Sequence, residues 1–269
     1  MSHSADPAAA KGFWARALQE QGRVLGALLM REMVMRYGRE NIGFLWLVVE
    51  PLILTTGVMI LWSYMRHAEH NVALAAFCIT GYMPLTLWRH ISSQTVSCLR
   101  QNLPLLYHRQ IRPLDLLVAR SLLEFSGTTL ALVAVYAALR LSGLLDPYDD
   151  LAKALLGWLC MAWLAFATGL ILAALSEQFD FVEKLVSPFQ YLLLPISGVF
   201  FMVAWLPSPV QKLALYVPMV HCYEIFRAGM IGPSVETHYN VGYVLIWCLF
   251  GTLLGLLMVR RAARELKFE

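Results

Sequence analysis

The feature that most constrains this chain is an abrupt change from charged to apolar residues near Arg39. Residues 36–41 (RYGREN) are mostly polar or charged, whereas residues 42–65 are mostly apolar. A helix needs about 20 mostly apolar residues to cross a bilayer, so 42–65 predicts a membrane span. Glu50 and Pro51 lie inside this run, where an ionisable group is poorly hydrated and a proline removes one backbone hydrogen bond. A simple membrane anchor would need neither residue.

Composition extends this conclusion to the whole chain. Hydrophobic residues make up 59% and charged residues 14% of the 269 positions, whereas soluble domains carry roughly 25% charged residues. We therefore predict an all-α integral membrane protein. A cytosolic N-terminus with an amphipathic interfacial helix (1–40) precedes a transmembrane domain (41–269). The six predicted spans are 42–65, 72–96, 116–141, 151–175, 181–203 and 241–259.

Two connecting segments differ from simple loops. Segment 100–115 has a proline near each end and a short amphipathic core. This pattern fits a brief surface helix that docks a partner protein, and it fits a plain connecting loop equally well. Region 204–232 contains apolar pieces too short to cross a bilayer, separated by Pro and Gly. We expect two re-entrant half-helices there, because irregular backbone at membrane depth needs cover from protein or a water-filled cavity.

The distribution of basic residues predicts the orientation. Sixteen of the 21 Lys and Arg residues fall on the side that holds both termini and segment 100–115. Cytosolic loops of membrane proteins carry an excess of Lys and Arg. Both termini and segment 100–115 are therefore expected in the cytosol, with region 204–232 on the far side.

Motifs for catalysis and metal binding are missing from the sequence. It contains no Gly-x-x-x-x-Gly-Lys-Ser/Thr loop for ATP phosphates, no His-Glu-x-x-His and no Gly-x-Ser-x-Gly. The five cysteines are scattered and odd in number, which favours apolar packing over a disulfide or metal framework. We expect no catalysis, no metal and no nucleic-acid partner. Taken alone, six spans with scattered polar groups fit a conduit, a scaffold or an intramembrane enzyme.

Several short motifs point to one family. They are RExxxRYG at 31–38, NIGFLW at 41–46, EP at 50–51, TGY at 80–82, LLYHR at 105–109, LPISG at 194–198 and FR at 226–227. With these motifs the chain resembles the membrane subunits of ABC-2 type exporters, specifically the capsular polysaccharide group (KpsM type). The resemblance covers residues 21–260 and is most specific at 37–51; the first ten residues fall outside it.

This resemblance implies a homodimer in the bacterial inner membrane, paired with two copies of a separate ATPase that binds ATP and Mg. Such an exporter moves a lipid-linked acidic capsular polysaccharide out of the cytosol. Periplasmic adaptor and outer-membrane polysaccharide export proteins would continue the path. In that family the cytosolic loop after the second span is a coupling helix that sits in the ATPase groove. The matching residues here are Asn102, Leu105, Leu106, Tyr107, His108, Arg109 and Arg112.

Charged residues near the predicted cytosolic boundary are candidates for the substrate entrance. They are Arg31, Arg36, Arg39 and Glu50. The arginines suit the anionic lipid-linked end of the substrate, and anchoring to lipid headgroups explains them equally well. Glu224 and Arg227, one helical turn apart, are candidates for a gate contact, and a local salt bridge is the simpler interpretation.

Aromatic residues near the predicted membrane boundaries are candidates for the translocation path. Aromatic rings offer large apolar faces with polar edges, which suits contact with a moving sugar chain better than a tight pocket does. Aromatic residues also form belts at membrane boundaries or pack in the core. The candidates are Trp62, Tyr64, Tyr82, Trp88, Phe200, Phe201, Trp205, Tyr216 and Tyr223.

Other functions remain open at this point. An ABC-2 permease for O-antigen, teichoic acid or a drug would share the architecture. A proton-coupled secondary transporter would need carboxylates near the midplane and usually an internal repeat, and no repeat is evident. A membrane-embedded transferase would be active without any ATPase.

Overall fold

The computed structural model describes residues 7–37, 49, 53, 56, 57, 59, 60, 73–106 and 111–265. The described ranges contain helices and turns but no β-strand, which confirms the all-α prediction for this part of the chain. The helices are α1 (Pro7–Tyr37), α2 (Leu74–Thr95), α3 (Cys98–Gln101), α4 (Leu103–Leu106), α5 (Pro113–Leu141), α6 (Leu151–Gln178), α7 (Asp180–Ser197), α8 (Ser208–Ala214), α9 (Pro218–Ile231) and α10 (Val241–Glu265). Most of the predicted first span, 42–65, lies outside the described residues.

Three described helices are long and apolar enough to cross a membrane: α5, α6 and residues 241–264 of α10. They coincide with predicted spans three, four and six. Predicted spans two and five correspond to α2 and α7, which have 22 and 18 residues and more polar side chains. At about 1.5 Å per residue these two helices are roughly 33 and 27 Å long, close to the thickness of the hydrocarbon layer.

Helix boundaries follow from local chemistry. Pro113 occupies the first turn of α5, where its missing N–H is not needed. Asp150 caps α6 by accepting hydrogen bonds from the backbone N–H groups of Ala152 and Lys153. Gly198 has a φ of 98°, a conformation that ends α7 at Ser197, before the predicted end of the fifth span at residue 203.

The helices enclose two apolar cores, and α6 contributes to both. The main core contains side chains of α2, α5, α6, α9 and α10. A second core, which we call the α1-side core, lies where α1 and α3 meet the ends of the long helices. It includes Leu28 of α1, Leu99 of α3, Leu117 of α5, Leu170 of α6 and Val259 of α10, all buried. The N-terminal helix is therefore packed onto the membrane domain.

Region 204–232 contains two short helices, α8 and α9; that they are re-entrant stays a prediction. α9 is buried over most of its length between α2, α6 and α10. Its contact with α6 depends on small residues. A Cβ added at Gly229 would lie 2.1 Å from the Ala154 backbone nitrogen, and one added at Gly157 would lie 2.5 Å from that of Phe226. Only glycine permits backbones to approach this closely.

Candidate functional site

The predicted coupling segment, 100–115, is separated from α2 by one sharp backbone turn. Ser97 has a φ of 57°, the left-handed conformation, and its N–H donates to the Ser176 hydroxyl of α6. The chain then forms α3 and α4. Residues 107–110, in the middle of the stretch expected to form either a brief surface helix or a loop, lie outside the described residues. Cys98 and Leu99 are buried in the α1-side core, so the chain is anchored immediately before the predicted coupling segment begins.

Asn102 is a predicted contact for the ATPase, but in the structure it faces inward. It is 4% exposed, accepts a hydrogen bond from Arg31 Nη1 at 2.8 Å and donates Nδ2 to the Cys98 carbonyl at 2.9 Å. Leu105 and Leu106 are half-buried against the α1-side core, whereas Arg112 is exposed. Tyr107, His108 and Arg109 lie outside the described residues.

A second anchor of this segment was not recognisable from the sequence. Arg100 Nη1 donates to Asp180 Oδ1 at 2.6 Å, and its Nη2 donates to the Ser176 carbonyl at 3.2 Å. The Arg100 backbone N–H donates to Glu177 Oε1 at 3.1 Å. The hydrogen bond with Asp180 raises the pKa of Arg100 above its usual value. The predicted coupling segment is thus tied to the first residue of α7.

The predicted entrance residues are only partly described. Arg31 is engaged by Asn102 and lies 3.7 Å from Glu32 Oε1, so it belongs to a network and is not a free surface charge. Glu32 also accepts a hydrogen bond from Arg120 Nη1 of α5 at 3.1 Å. Arg36 lies in α1, but its side chain is outside the described part, as are Arg39 and Glu50 entirely.

The candidate path aromatics do not share one surface. Tyr223 and Trp88 are buried in the main core, and Tyr82 packs against it. Trp205 packs against Phe77 with ring centroids 5.1 Å apart, and Phe201 is half-buried. Phe200 and Tyr216 are exposed, at 45% and 72%. Trp62 and Tyr64 lie outside the described residues.

The gate candidates Glu224 and Arg227 are brought together at the other end of the molecule. Arg227 is fully buried; its Nη1 donates to the Phe201 carbonyl at 2.6 Å and its Nη2 to the Val199 carbonyl at 3.0 Å. Arg227 Nη1 lies 3.8 Å from Glu224 Oε1.

Glu224 adds two further connections. Its carboxylate accepts from the backbone N–H groups of Val203 at 3.3 Å and His238 at 3.0 Å. The pair therefore joins α9 to the turn after α7 and to the chain that leads into α10. We call these two side chains and their backbone partners the buried arginine cluster.

A polar cavity of about 280 Å³ lies between α2, α3, α5 and α7. We call it the Arg89 cavity. Its lining includes Arg89, Ser93 and Gln94 of α2, Arg120 of α5, and Glu183 and Gln190 of α7. Two other cavities, of about 320 and 210 Å³, are lined almost entirely by apolar surface. Among the described residues no cluster of three His, Cys, Asp or Glu side chains is placed to hold a metal ion.

Comparison with known proteins shows which family the chain matches. Residues 23–231 match the family described as ABC-2 type transporter. The chain is 42% identical over 253 residues to the capsule polysaccharide export inner-membrane protein BexB of Haemophilus influenzae, covering 94% of this chain and 96% of that protein. It is 44% identical over 247 residues to CtrC of Neisseria meningitidis serogroup A, a protein of the same description, covering 91% and 92%. The polysialic acid transport protein KpsM of Escherichia coli is 27% identical over 242 residues, covering 87% and 91%.

Proposed function

Because this chain belongs to the ABC-2 type transporter family, we propose that it is the membrane subunit of an ATP-driven exporter. Its substrate is a lipid-linked acidic capsular polysaccharide, which it moves from the cytosol across the bacterial inner membrane. The observation that carries this proposal is the 42–44% identity to capsule polysaccharide export inner-membrane proteins over 91–94% of the chain. ATP and Mg bind to a separate ATPase subunit, since the sequence has no phosphate-binding loop of its own.

The proposed assembly is a homodimer of six-span subunits with two ATPase copies, and both termini lie in the cytosol. Periplasmic adaptor and outer-membrane export proteins continue the path. The exposed apolar residues of α1 support its placement at the membrane surface: Met30, Met33, Val34 and Met35 are exposed, while Leu28 is buried against the membrane domain. A helix with one face packed and apolar residues left exposed suits the interface between lipid and water.

The attachments of α7 suggest how ATPase motion reaches the membrane domain. At its first residue, Asp180 is bonded to Arg100 of the proposed coupling segment at 2.6 Å. Beyond its last residue, the carbonyls of Val199 and Phe201 are held by Arg227. Between these ends much of α7 is exposed, including Leu185.

We infer that displacement of α3 and α4 pulls the first turn of α7, while the buried arginine cluster holds the other end as a pivot. Charge-assisted hydrogen bonds at both ends make such a lever stiff where it is attached. The ATPase shifts the equilibrium only if it binds one arrangement more tightly than the other. The exposed Arg112, a residue of the proposed coupling segment, offers the ATPase a basic contact.

The test is the location of the polymer in cells that lack this gene and in cells complemented with variants. Deletion should trap acidic polymer in the cytosol, and the wild-type gene should restore it to the surface. Arg112→Glu reverses one exposed charge within the proposed coupling segment and should restore little export. Arg264→Glu, at an exposed position near the end of α10, is the matched control and should restore export fully.

Two outcomes would overturn the proposal. If deletion abolishes polymer production, the chain acts in synthesis. If surface polymer is unchanged by deletion, the substrate is not the capsule, and another ABC-2 substrate such as O-antigen, teichoic acid or a drug takes its place.

A further inference from the structure

The Arg89 cavity differs in chemistry from the two apolar cavities described above. It is lined mainly by guanidinium, amide and hydroxyl groups, although it lies among helices of a membrane domain. Polar groups inside a membrane protein are costly and are found where water or a ligand meets them. The cavity also borders the proposed coupling segment, because Gln101 lines it together with the preceding Ser97.

Arg89 is the cation of this cavity that has no carboxylate partner among the described residues. Its Nη2 donates to the Tyr191 hydroxyl at 3.2 Å, and its guanidinium carbon lies 4.7 Å from the centroid of that ring. Arg89 Nε is buried and has no hydrogen-bond partner in the described part of the protein. Arg120, in contrast, uses both terminal nitrogens, on Glu32 and on Gln94.

The two amides of the lining present complementary groups. Gln190 is 3% exposed and donates its Nε2 to the Ser92 hydroxyl at 2.8 Å, which leaves its carbonyl oxygen as an acceptor. Gln94 accepts from Arg120 with its carbonyl oxygen at 3.1 Å, which leaves its NH₂ group as a donor. A cation without a carboxylate partner among the described residues, one amide donor and one amide acceptor together match a carboxylate and neighbouring hydroxyls of a sugar.

We propose that the Arg89 cavity binds one carboxylate-bearing sugar unit of the exported chain. Arg89 pairs with the sugar carboxylate, and the amides of Gln94 and Gln190 bind ring hydroxyls. The inference rests on the proposed function, since it assigns a sugar-acid subsite to the same export path. It also gives the exporter a means of sensing substrate beside its coupling segment.

Glu183 provides a test in which the affinity for a sugar acid should rise instead of fall. It lines the same cavity and is exposed, and it forms no ion pair with Arg89. A negative charge there repels a sugar acid but not a neutral sugar. Removing it should therefore strengthen binding of the acid only, by a few-fold, as expected for one partly exposed charge.

The experiment uses the full chain in phosphatidylcholine nanodiscs and two probes, trigalacturonic acid and maltotriose, titrated by saturation-transfer NMR. The wild type should prefer the acid. Arg89→Gln should reduce the affinity for the acid by roughly tenfold or more, the usual weight of a hydrogen bond to a charged group, and leave maltotriose nearly unchanged. Arg89→Lys should lose part of the preference, because a point charge replaces a planar fork. Glu183→Gln should raise the preference for the acid.

Arg140→Gln is the matched control. This arginine is exposed at the end of α5 and donates to the Leu145 carbonyl, remote in sequence from the cavity-lining residues. An acid preference that is absent in the wild type, or equal in Arg89→Gln and Arg140→Gln, overturns the inference. If that happens while gene deletion still traps polymer, only the subsite fails. If deletion leaves surface polymer unchanged, the proposed function fails, whatever the nanodisc titrations show.

Discussion

Arg227 illustrates at the residue scale how a fully buried charge can be accommodated. Two carbonyl oxygens and the carboxylate of Glu224 surround its guanidinium, and two aromatic rings, Phe77 and Tyr223, lie 5.1 and 5.5 Å from its central carbon. Taking a charge out of water is expensive, and only such partners offset the cost. Each charged group of the cluster is therefore stabilised by its buried partners, and removing one group leaves the others buried without it.

Replacing Arg227 with Leu should destabilise the protein strongly. The change leaves Glu224 buried without its cation and leaves the carbonyls of Val199 and Phe201 without donors, a loss of about 3–5 kcal/mol in the free energy of unfolding. Glu224→Gln should cost less, because an amide oxygen still accepts one of the two backbone N–H groups. Unfolding of the purified chain in mixed micelles measures both. Arg140→Leu, at an exposed arginine, should change the free energy of unfolding little. Equal losses of stability in Arg140→Leu and Arg227→Leu would contradict this prediction.

Residue spacing predicted the first part of this cluster but not the rest. Glu224 and Arg227 are three positions apart, so one helical face brings them together. Their other partners are backbone groups more than ten positions away, such as Val199 and His238. Backbone acceptors carry no sequence signal, so a buried network could not be distinguished from a surface salt bridge. The same applies to Arg100, whose partner Asp180 lies 80 positions away.

At the element scale, the contact between α6 and α9 depends on the absence of side chains at Gly157 and Gly229. Gly229→Ala should disrupt this contact, because the added Cβ would lie 2.1 Å from the Ala154 backbone nitrogen and 2.7 Å from the Asp150 carbonyl oxygen. Backbone atoms cannot move aside cheaply, so α9 must shift and overpacking costs about 1–3 kcal/mol or more. Thermal unfolding of the purified variant should therefore give a lower melting temperature than that of the wild type.

The matched control for that change is Gly22→Ala in α1, where nothing lies within 4 Å of the added Cβ. Alanine favours a helix over glycine by about 0.8–1.0 kcal/mol, so this variant should be as stable as the wild type or slightly more so. Both substitutions add one methyl group to a helix. If both variants unfolded at the same temperature, the close crossing of α6 and α9 would not matter for stability.

The N-terminus of α6 should show a defined pH dependence. The backbone N–H of Lys153, with smaller contributions from its ammonium and from Ala152, lowers the pKa of Asp150 below its ordinary value of 3.8. A carboxyl with a lowered pKa stabilises the folded state above its ordinary pKa and loses that contribution as the pH falls through the folded value. Asp150→Ala should therefore lower the melting temperature equally at pH 8 and pH 5, and progressively less below 3.8. Asp150→Asn keeps a hydrogen-bond acceptor, so its melting temperature should fall less than that of Asp150→Ala. A difference in melting temperature between wild type and Asp150→Ala that grows as the pH falls would refute this prediction.

Long apolar runs predicted three long helices of the described chain, whereas the sequence did not predict the course of the coupling segment. α5, α6 and α10 follow from length and hydrophobicity alone, since crossing a bilayer imposes both. The coupling segment does not follow in this way. Its course depends on the left-handed Ser97 and on burial of Leu99 and Asn102 against distant helices. A short segment takes its conformation from what it packs against, so its own pattern was compatible with a helix or a loop.

For the whole molecule, the predicted six-span arrangement makes the loop between α5 and α6 and the segment after α2 the most informative positions. All five cysteines are buried, so a cysteine introduced at an exposed site should be labelled against a low background. Asp146, between α5 and α6, is exposed on the side predicted to face away from the cytosol. Gln101 of the coupling segment is also exposed and lies on the side predicted to face the cytosol. One membrane-impermeant maleimide can therefore report both faces.

Asp146→Cys should react with this maleimide in cells whose outer membrane alone is permeabilised. Gln101→Cys should react only after the inner membrane is opened, because the excess of Lys and Arg keeps its side in the cytosol. Lys212→Cys, exposed on α8, should behave like Asp146→Cys, since an odd number of spans separates both positions from residue 101. Labelling of Gln101→Cys in cells with an intact inner membrane would show that the topology is the reverse of the one predicted. The ATPase would then be unable to reach α3 and α4, and the proposed transmission through Arg100 to α7 would fail with it.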